Sequence, residues 1–251
     1  MFHNKIIPCL GQFLFLFFIV LLSYSKCDES DLVKYLKSFI QKNLPNEIFI
    51  HVVEIFRNQE HTFPDNYEKN KIAFENHKPK IRANKGYIED QSNYGDMQYG
   101  QLPLSNNGCG LIATYNVLFE LTKNENIDFP SIIKDLENDG IILNGAFGTS
   151  MVAIKDYFEK NGFKAIGSCK VEEFNKIGEE YDAMILTVYN NLDDITGGMH
   201  FMAITKQNGV FKVHNNGSRD GSKSYTSIDD VLKKINSGKA KGVYLTGVSN
   251  N

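Results

Sequence analysis

The chain has 251 residues, a hydrophobic content of 42% and a formal net charge of −3. This length fits one large domain, or one medium domain with an extension, and the apolar content is sufficient for a core. The slightly acidic balance argues against a general nucleic-acid-binding protein, because such a protein needs a basic face.

The first 25 residues are typical of a secretory signal peptide. Residues 13–22 form an uninterrupted apolar run that is too short for a comfortable membrane span, and Lys5 precedes it. Small residues follow at Ser23 and Ser25, as a cleavage site requires. We therefore expect cleavage near Ser25 and a secreted protein without a membrane anchor. The alternative is an uncleaved signal anchor.

Export places the mature chain in an oxidising compartment, where an odd number of cysteines indicates one free thiol. Of the 4 cysteines, Cys27, Cys109 and Cys169 lie after the signal. The economical interpretation pairs Cys27 with Cys169 and leaves Cys109 free. The alternative, in which all of them are unpaired, stays open because connectivity does not follow from a sequence.

Residues 26–90 are predicted to form an N-terminal helical arm or a removable pro-segment. Residues 29–43 carry an apolar stripe at helical spacing, whereas residues 47–56 are compatible with either a strand or a helix. In the polar stretch 57–100 only residues 67–77 look helical. A solvated helix followed by a linker is the alternative for this stretch.

Residues 91–251 are predicted to form one α+β domain, because helical patterns come first and strand patterns follow. One predicted helix begins at Cys109. Further helices are predicted over residues 130–138, 151–160 and 227–235, with a helical turn at 171–176. The predicted strands are 163–166, 183–189, 200–205, 210–214 and 242–245. Asn208-Gly209 between two of these strands predicts a tight hairpin.

Cys109 is the candidate nucleophile of this domain. It lies between Gly108 and Gly110 at the predicted start of a helix. A helix N-terminus or a neighbouring histidine lowers the pKa of a thiol from about 8.5. The backbone N–H groups at the same helix start can also bind a developing oxyanion.

His200 is the candidate base, because it starts a strand directly after two glycines. The hairpin returns Asn215 beside it, where a side-chain carbonyl can accept from the imidazole and fix its tautomer. The two-residue period of a strand places Asn215 on the face of Val213 and Asn216 on the other face. Asn216 also starts the only glycosylation sequon of the chain, which suits an outward side chain and favours Asn215 as the orienting residue.

In their order, these segments resemble the active-site segments of papain-like cysteine peptidases, and more narrowly the branch related to bacteriocin-processing, double-glycine-leader peptidases. The matching residues are Gln101, Gly108-Cys109, Asn116, Gly148-Thr149-Ser150, residues 184–188, His200 and Asn215. The resemblance covers residues 90–246. It implies a papain-like fold, in which an N-terminal helical part packs on a C-terminal antiparallel sheet.

The resemblance also implies roles for single residues. Cys109 is the nucleophile, His200 the base, Asn215 the orienting residue and Gln101 the side chain of the oxyanion hole. Two departures matter: many relatives have Asp where this chain has Asn215, and papain has a shorter spacing between Gln and Cys. Gln98 and Gln91 therefore stay possible for the oxyanion role. Relatives also lack a counterpart to residues 26–90.

These observations predict a secreted cysteine peptidase that cleaves a peptide or protein through an acyl-enzyme. No metal or organic cofactor is implied, since the sequence has no clustered pattern of ligands. Acyl transfer on the same scaffold and a non-catalytic secreted interaction protein are the alternatives. Asp193 and Asp194, in a loop predicted to border the cleft, indicate basic or neutral substrates. The sequence does not indicate an oligomeric state.

Overall fold

The computed structural model describes residues 43–57, 63–190, 198–216 and 224–251. The predicted signal peptide, Cys27, nearly all of the predicted helix 29–43, and the pair Asp193 and Asp194 lie outside these residues. Cleavage near Ser25 and the pairing of Cys27 with Cys169 therefore stay predictions.

The described residues form eight α-helices and eight β-strands. The helices are α1 (Asn46–Ile55), α2 (Pro64–Ala83), α3 (Leu104–Asn107), α4 (Cys109–Thr122), α5 (Phe129–Asp139), α6 (Met151–Lys160), α7 (Phe174–Glu180) and α8 (Ile228–Lys234). The strands are β1 (Gln98–Tyr99), β2 (Leu102–Pro103), β3 (Lys164–Ser168), β4 (Ala183–Tyr189), β5 (Met199–Gln207), β6 (Val210–His214), β7 (Ser224–Tyr225) and β8 (Lys241–Ser249).

An antiparallel sheet of six strands organises the fold, in the order β3-β8-β4-β5-β6-β7. Strand β4 is buried along its whole length between β8 and β5. The short strands β1 and β2 form a separate hairpin just before the cysteine-bearing helix. Helices together with an antiparallel sheet confirm the α+β prediction.

Two apolar clusters cover the two faces of the sheet. Along β4, Ile185 belongs to the first cluster, whereas Met184 and Leu186 belong to the second, as strand alternation requires. Helices α1, α2, α4, α5 and α6 contribute to the first cluster, and α7 and α8 contribute to the second. The predicted packing of N-terminal helices on the sheet is therefore found on one face, and α7 and α8 cover the other face.

The hairpin between β5 and β6 has the predicted turn. Asn208 and Gly209 both have positive φ angles, of 52° and 74°. Positive φ at both central residues gives the turn a twist that matches the flanking strands. The register pairs Gln207 with Val210 and runs to Ala203 opposite His214. This register brings the end of β6 back toward the start of β5.

The segment before the first hairpin is more helical than its apolar pattern predicts. Residues 47–56 are largely helical, with Phe49, Val52 and Val53 on the buried stripe of α1. Helix α2 extends well beyond the predicted residues 67–77. Its buried stripe includes Asn66 and Asn70, so a pattern based on apolar residues misses part of it.

Hydrogen bonds join α2 to the rest of the domain. The side-chain amide of Asn66 donates to Oε1 of Glu137 at 2.7 Å and to the carbonyl of Gly100 at 2.9 Å. Asn70 exchanges two bonds with the backbone of Gln98, of 2.8 and 2.7 Å. The described part of residues 26–90 thus shares the first cluster and its polar contacts. None of the helices in the described ranges is both long and apolar enough to cross a membrane.

Candidate active site

Cys109 is the first residue of α4, directly after Gly108. Close packing requires glycine at position 108 and leaves little space for a side chain at position 110. A Cβ atom at Gly108 would lie 2.4 Å from Cγ of Leu104, and one at Gly110 would lie 3.2 Å from Cβ of Thr149. The chain can therefore turn from α3 into α4 and bring the helix start against the residues before α6. This turn leaves the thiol at the helix N-terminus, half-buried.

The structure brings Cys109 and His200 together, close enough for each group to shift the pKa of the other. His200 is the second residue of β5 and lies opposite Val188 of β4. Helix α4 packs along β5, since the buried side chains of α4 and those of Phe201 and Ala203 belong to the same cluster. The predicted juxtaposition of nucleophile and base therefore follows from packing α4 across the start of β5.

Burial of the Cys109 thiol raises its pKa, but its polar partners outweigh this effect. The hydrogen bond and charge of His200 lower the pKa, and the backbone N–H groups of Phe201 and Gly110 lower it further. The net result is a thiol pKa below its ordinary value. Hydrogen bonds to the charged form of a group favour that form, so the site stabilises a thiolate.

The His200 imidazole shifts in the opposite direction. Burial lowers its pKa, whereas the hydrogen bond and charge of Cys109 and the bond to Asn215 raise it above its ordinary value. A lowered thiol pKa and a raised imidazole pKa are what a thiolate–imidazolium pair produces. The two residues therefore form one proton-sharing unit.

Asn215 orients His200, but through its backbone rather than its side chain. Nε2 of His200 donates to the carbonyl oxygen of Asn215 at 2.5 Å. Asn215 has a φ angle of 57°, which ends the strand alternation after His214 and explains why the predicted side-chain contact does not form. Since a carbonyl only accepts, Nε2 carries the proton and Nδ1 is the nitrogen left for Cys109.

The side chain of Asn215 is buried and points to another partner. Its Oδ1 accepts the backbone N–H of Gln91 at 3.1 Å. Its Nδ2 is buried without a hydrogen-bond partner among the described residues. Asn216, which starts the sequon, is half-buried, and the remainder of the sequon lies outside the described residues. The hydrogen bond from His200 is accepted by Asn215, so Asn215 rather than Asn216 is the residue that orients the imidazole.

The contacts described for the three glutamines considered for the oxyanion hole are with residues other than Cys109 and His200. Gln101 is exposed on the turn between β1 and β2, and its backbone N–H donates to the carbonyl of Asn144 at 3.0 Å. The side chain of Gln91 donates to the carbonyls of Leu104 and Ser105. Gln98 is bonded to Asn70 through its backbone. The oxyanion role of Gln101 stays a prediction.

The start of α4 offers donors of its own. The first N–H groups of a helix have no intrahelical acceptor, and Gly108 provides no capping side chain. The N–H of Cys109 belongs to this first turn, next to the sulfur. A backbone N–H at this position is the kind of donor that can bind an oxyanion beside the sulfur.

Sequence reasoning missed Glu89, which holds the far side of the site. Its Oε1 lies 2.7 Å from Nδ1 of His214, and its Oε2 accepts the backbone N–H of Asn215 at 3.3 Å. Glu89 lies in a polar stretch without periodicity, so its position gave no signal. Only the packing of this segment against the end of β6 identifies it.

Among the residues that the structure describes, no group of three or more His, Cys, Asp or Glu side chains could hold a metal ion. No family model matches the chain, and no curated protein matches its sequence.

Proposed function

We propose that this protein is a secreted thiol hydrolase of papain-like fold that cleaves amide bonds in a peptide or protein. One observation carries the proposal: Cys109 at a helix start lies beside His200, and the pKa values of the two groups shift toward a thiolate–imidazolium pair. A structural cysteine needs neither feature. Secretion rests on the pattern of residues 1–25 alone.

The proposed reaction uses Nδ1 of His200 as the base. It takes the proton of Cys109, and the thiolate then forms a bond to the substrate carbonyl carbon. The N–H groups at the start of α4 stabilise the oxyanion. The imidazolium gives its proton to the leaving amine as the C–N bond breaks. His200 next deprotonates a water molecule, which breaks the thioester bond and releases the acid and the thiol.

The Asn215 carbonyl serves this cycle in two ways. It fixes the imidazole tautomer, since it accepts from Nε2, and it stabilises the imidazolium that forms when the thiol is ionised. A backbone acceptor persists in every side-chain variant of Asn215. Replacement of this residue therefore acts through the positive φ angle and the buried amide, not through loss of the acceptor.

The layout of the site supports the papain-like part of the proposal. The nucleophile begins a buried helix, the base lies on an antiparallel strand, and the next strand ends at the orienting residue. This order along the chain is the order that the resemblance implies. The combination is specific for thiol chemistry, because it places the sulfur, the base and the backbone donors at one point.

The test compares the full-length protein with the variants Cys109→Ala and Cys169→Ala on a library of fluorogenic peptides. Cleavage should be lost in Cys109→Ala and retained in Cys169→Ala, because Cys169 has no histidine partner among the described contacts. Mass spectrometry of the products with an added amine acceptor separates hydrolysis from acyl transfer. Turnover that continues after alkylation of Cys109 would contradict the proposal.

A further inference from the structure

Residues 87–91, which we name the bridging segment, contact the side of the site that carries the nucleophile. The backbone of Ile88 exchanges two hydrogen bonds with the side chain of Asn116 in α4, of 2.8 and 2.9 Å. The side chain of Gln91 donates to the carbonyl of Ser105 at 2.9 Å, in the short helix just before Cys109. The segment is thus fixed on the helix that carries the thiol and on the turn that leads into it.

The same segment also contacts the residue that orients the base. Oε2 of Glu89 accepts the backbone N–H of Asn215, and the backbone N–H of Gln91 donates to Oδ1 of Asn215. A positive φ is uncommon for a residue other than glycine and persists only where neighbouring contacts hold it. One bond holds the backbone N–H of Asn215 and the other holds its side chain, while its carbonyl accepts from His200.

Glu89 is itself held in place by a second histidine. His214 is buried, its Nδ1 lies 2.7 Å from Oε1 of Glu89, and its Nε2 lies 3.0 Å from the hydroxyl of Thr205. The ring of Tyr87 stacks on this imidazole, with the ring centroids 4.0 Å apart. A carboxylate only accepts, so Nδ1 of His214 donates to Glu89. Both oxygens of Glu89 therefore have a fixed partner.

We infer that Glu89 is a positioning residue for the His200 base and acts through the backbone of Asn215, an inference that rests on the proposed function. Without Glu89, the N–H of Asn215 loses its acceptor and the end of β6 relaxes toward negative φ. The carbonyl then turns away from Nε2 of His200. The imidazolium is stabilised less, and the Cys109 thiol ionises at higher pH.

A purely structural role makes a different prediction. If Glu89 served only to satisfy the buried His214, its loss would lower the melting temperature and leave the ionisation of Cys109 unchanged. The rate of Cys109 alkylation as a function of pH separates the two roles, because it reports the thiolate directly. Peptide mass spectrometry assigns the label to Cys109 and does not require turnover.

The experiment compares full-length wild-type protein with Glu89→Ala, Glu89→Gln and the control Glu125→Ala. Glu125 is an exposed glutamate outside the bridging segment, and it follows the end of α4 that is far from Cys109. We expect the alkylation midpoint to move to higher pH in Glu89→Ala and to stay in place in Glu125→Ala. Any peptide turnover should fall about 100-fold in Glu89→Ala, as expected for a misplaced catalytic group.

Glu89→Gln is the conservative variant. Its amide oxygen can still accept from Asn215, and its NH₂ group can donate to the other tautomer of His214. We therefore expect a midpoint close to that of the wild type, which a loss of charge alone would not explain.

The outcomes decide separately on the inference and on the proposed function. A folded Glu89→Ala protein with the wild-type midpoint overturns the inference and leaves the peptidase proposal intact. If Glu89→Ala does not fold, Glu89→Asp replaces it, since the shorter side chain reaches Asn215 less well. A shifted midpoint then supports the positioning role, and an unshifted midpoint overturns it. Full activity of Cys109→Ala would defeat the peptidase proposal, while the alkylation profile would still decide the role of Glu89.

Discussion

Cys109 and Cys169 are the two free thiols of the described residues, and both are half-buried. Cys109 begins α4 beside His200, whereas Cys169 follows β3 near the start of α1. Burial raises the pKa of Cys169, and the charge of Glu47 raises it further. Burial also raises the pKa of Cys109, but His200 and two backbone donors lower this pKa by more than burial raises it. Exposure is therefore the wrong guide to reactivity, and the partners of each sulfur decide it.

The backbone around Cys169 strengthens the contrast. The side-chain amide of Asn46 donates to the carbonyl of Cys169 at 3.0 Å and to that of Gly242 at 3.2 Å. These bonds hold the backbone of Cys169. The pKa of its sulfur is set mainly by burial and by the negative charge of Glu47, and the opposing effect of Lys170 is weaker. Cys169 thus behaves as a packing residue, and its backbone rather than its thiol ties β3 to the region around α1.

The largest expected effect comes from removing His200, the partner that makes the pKa of Cys109 differ from that of Cys169. His200→Ala should reduce peptide turnover by about 10²- to 10⁴-fold, because the base and the proton donor are both lost. The Cys109 thiol should then ionise at higher pH and approach Cys169 in reactivity. Steady-state kinetics and iodoacetamide labelling measure the two effects.

The control for this variant is His51→Ala, which removes an exposed histidine of α1. It should change neither turnover nor labelling. If the His200→Ala protein still labels first at Cys109 near pH 6, the helix start alone activates the thiol and the contrast does not depend on the histidine.

The second prediction concerns pH. Cys109 has a lowered pKa, so its thiolate persists below the ordinary range, and Cys169 has a raised pKa, so its thiolate forms above that range. In protein that has first been reduced, iodoacetamide should label Cys109 first at pH 6, and Cys169 should follow only in alkaline buffer. Turnover should rise as Cys109 deprotonates and fall as His200 loses its proton above its own ordinary pKa.

Peptide mass spectrometry of labelled samples between pH 5 and pH 10 gives these profiles. Unfolding the protein in urea should remove the difference between the two cysteines. Labelling at equal rates in the native protein at pH 6 would contradict the assigned roles.

The smallest expected effect is at Cys169. Glu47→Gln removes a negative charge whose influence raises the pKa of Cys169, second to burial. Glu47 is exposed, so solvent screens its charge, and we expect Cys169 to alkylate only about twofold faster near pH 8. Cys109 should be unaffected. The matched variant Glu125→Gln, also at an exposed position, should change neither rate, and equal acceleration in both variants would point to a general effect of net charge.

Several elements were predictable because their signals are local. Ser150 caps α6 with its hydroxyl, Asn208-Gly209 makes the hairpin turn, and β4 has the predicted bounds of residues 183–189. The pairing of Cys109 with His200 followed from the same signals, since a helix start and a strand start can be recognised separately. Helix α2 was only partly predicted, because Asn66 and Asn70 lie on its buried stripe and their partners are distant in sequence.

By itself, the sequence determined the α+β class, the hairpin and the residues that carry sulfur and imidazole, because periodicity, caps and turns are properties of short stretches. Only the tertiary structure decided that Asn215 contacts His200 through its carbonyl, since a positive φ at an asparagine depends on what surrounds it. It also decided the position of Glu89, whose partners His214 and Asn215 are more than a hundred residues away along the chain. Contacts of that range arise from packing, and no local pattern encodes them.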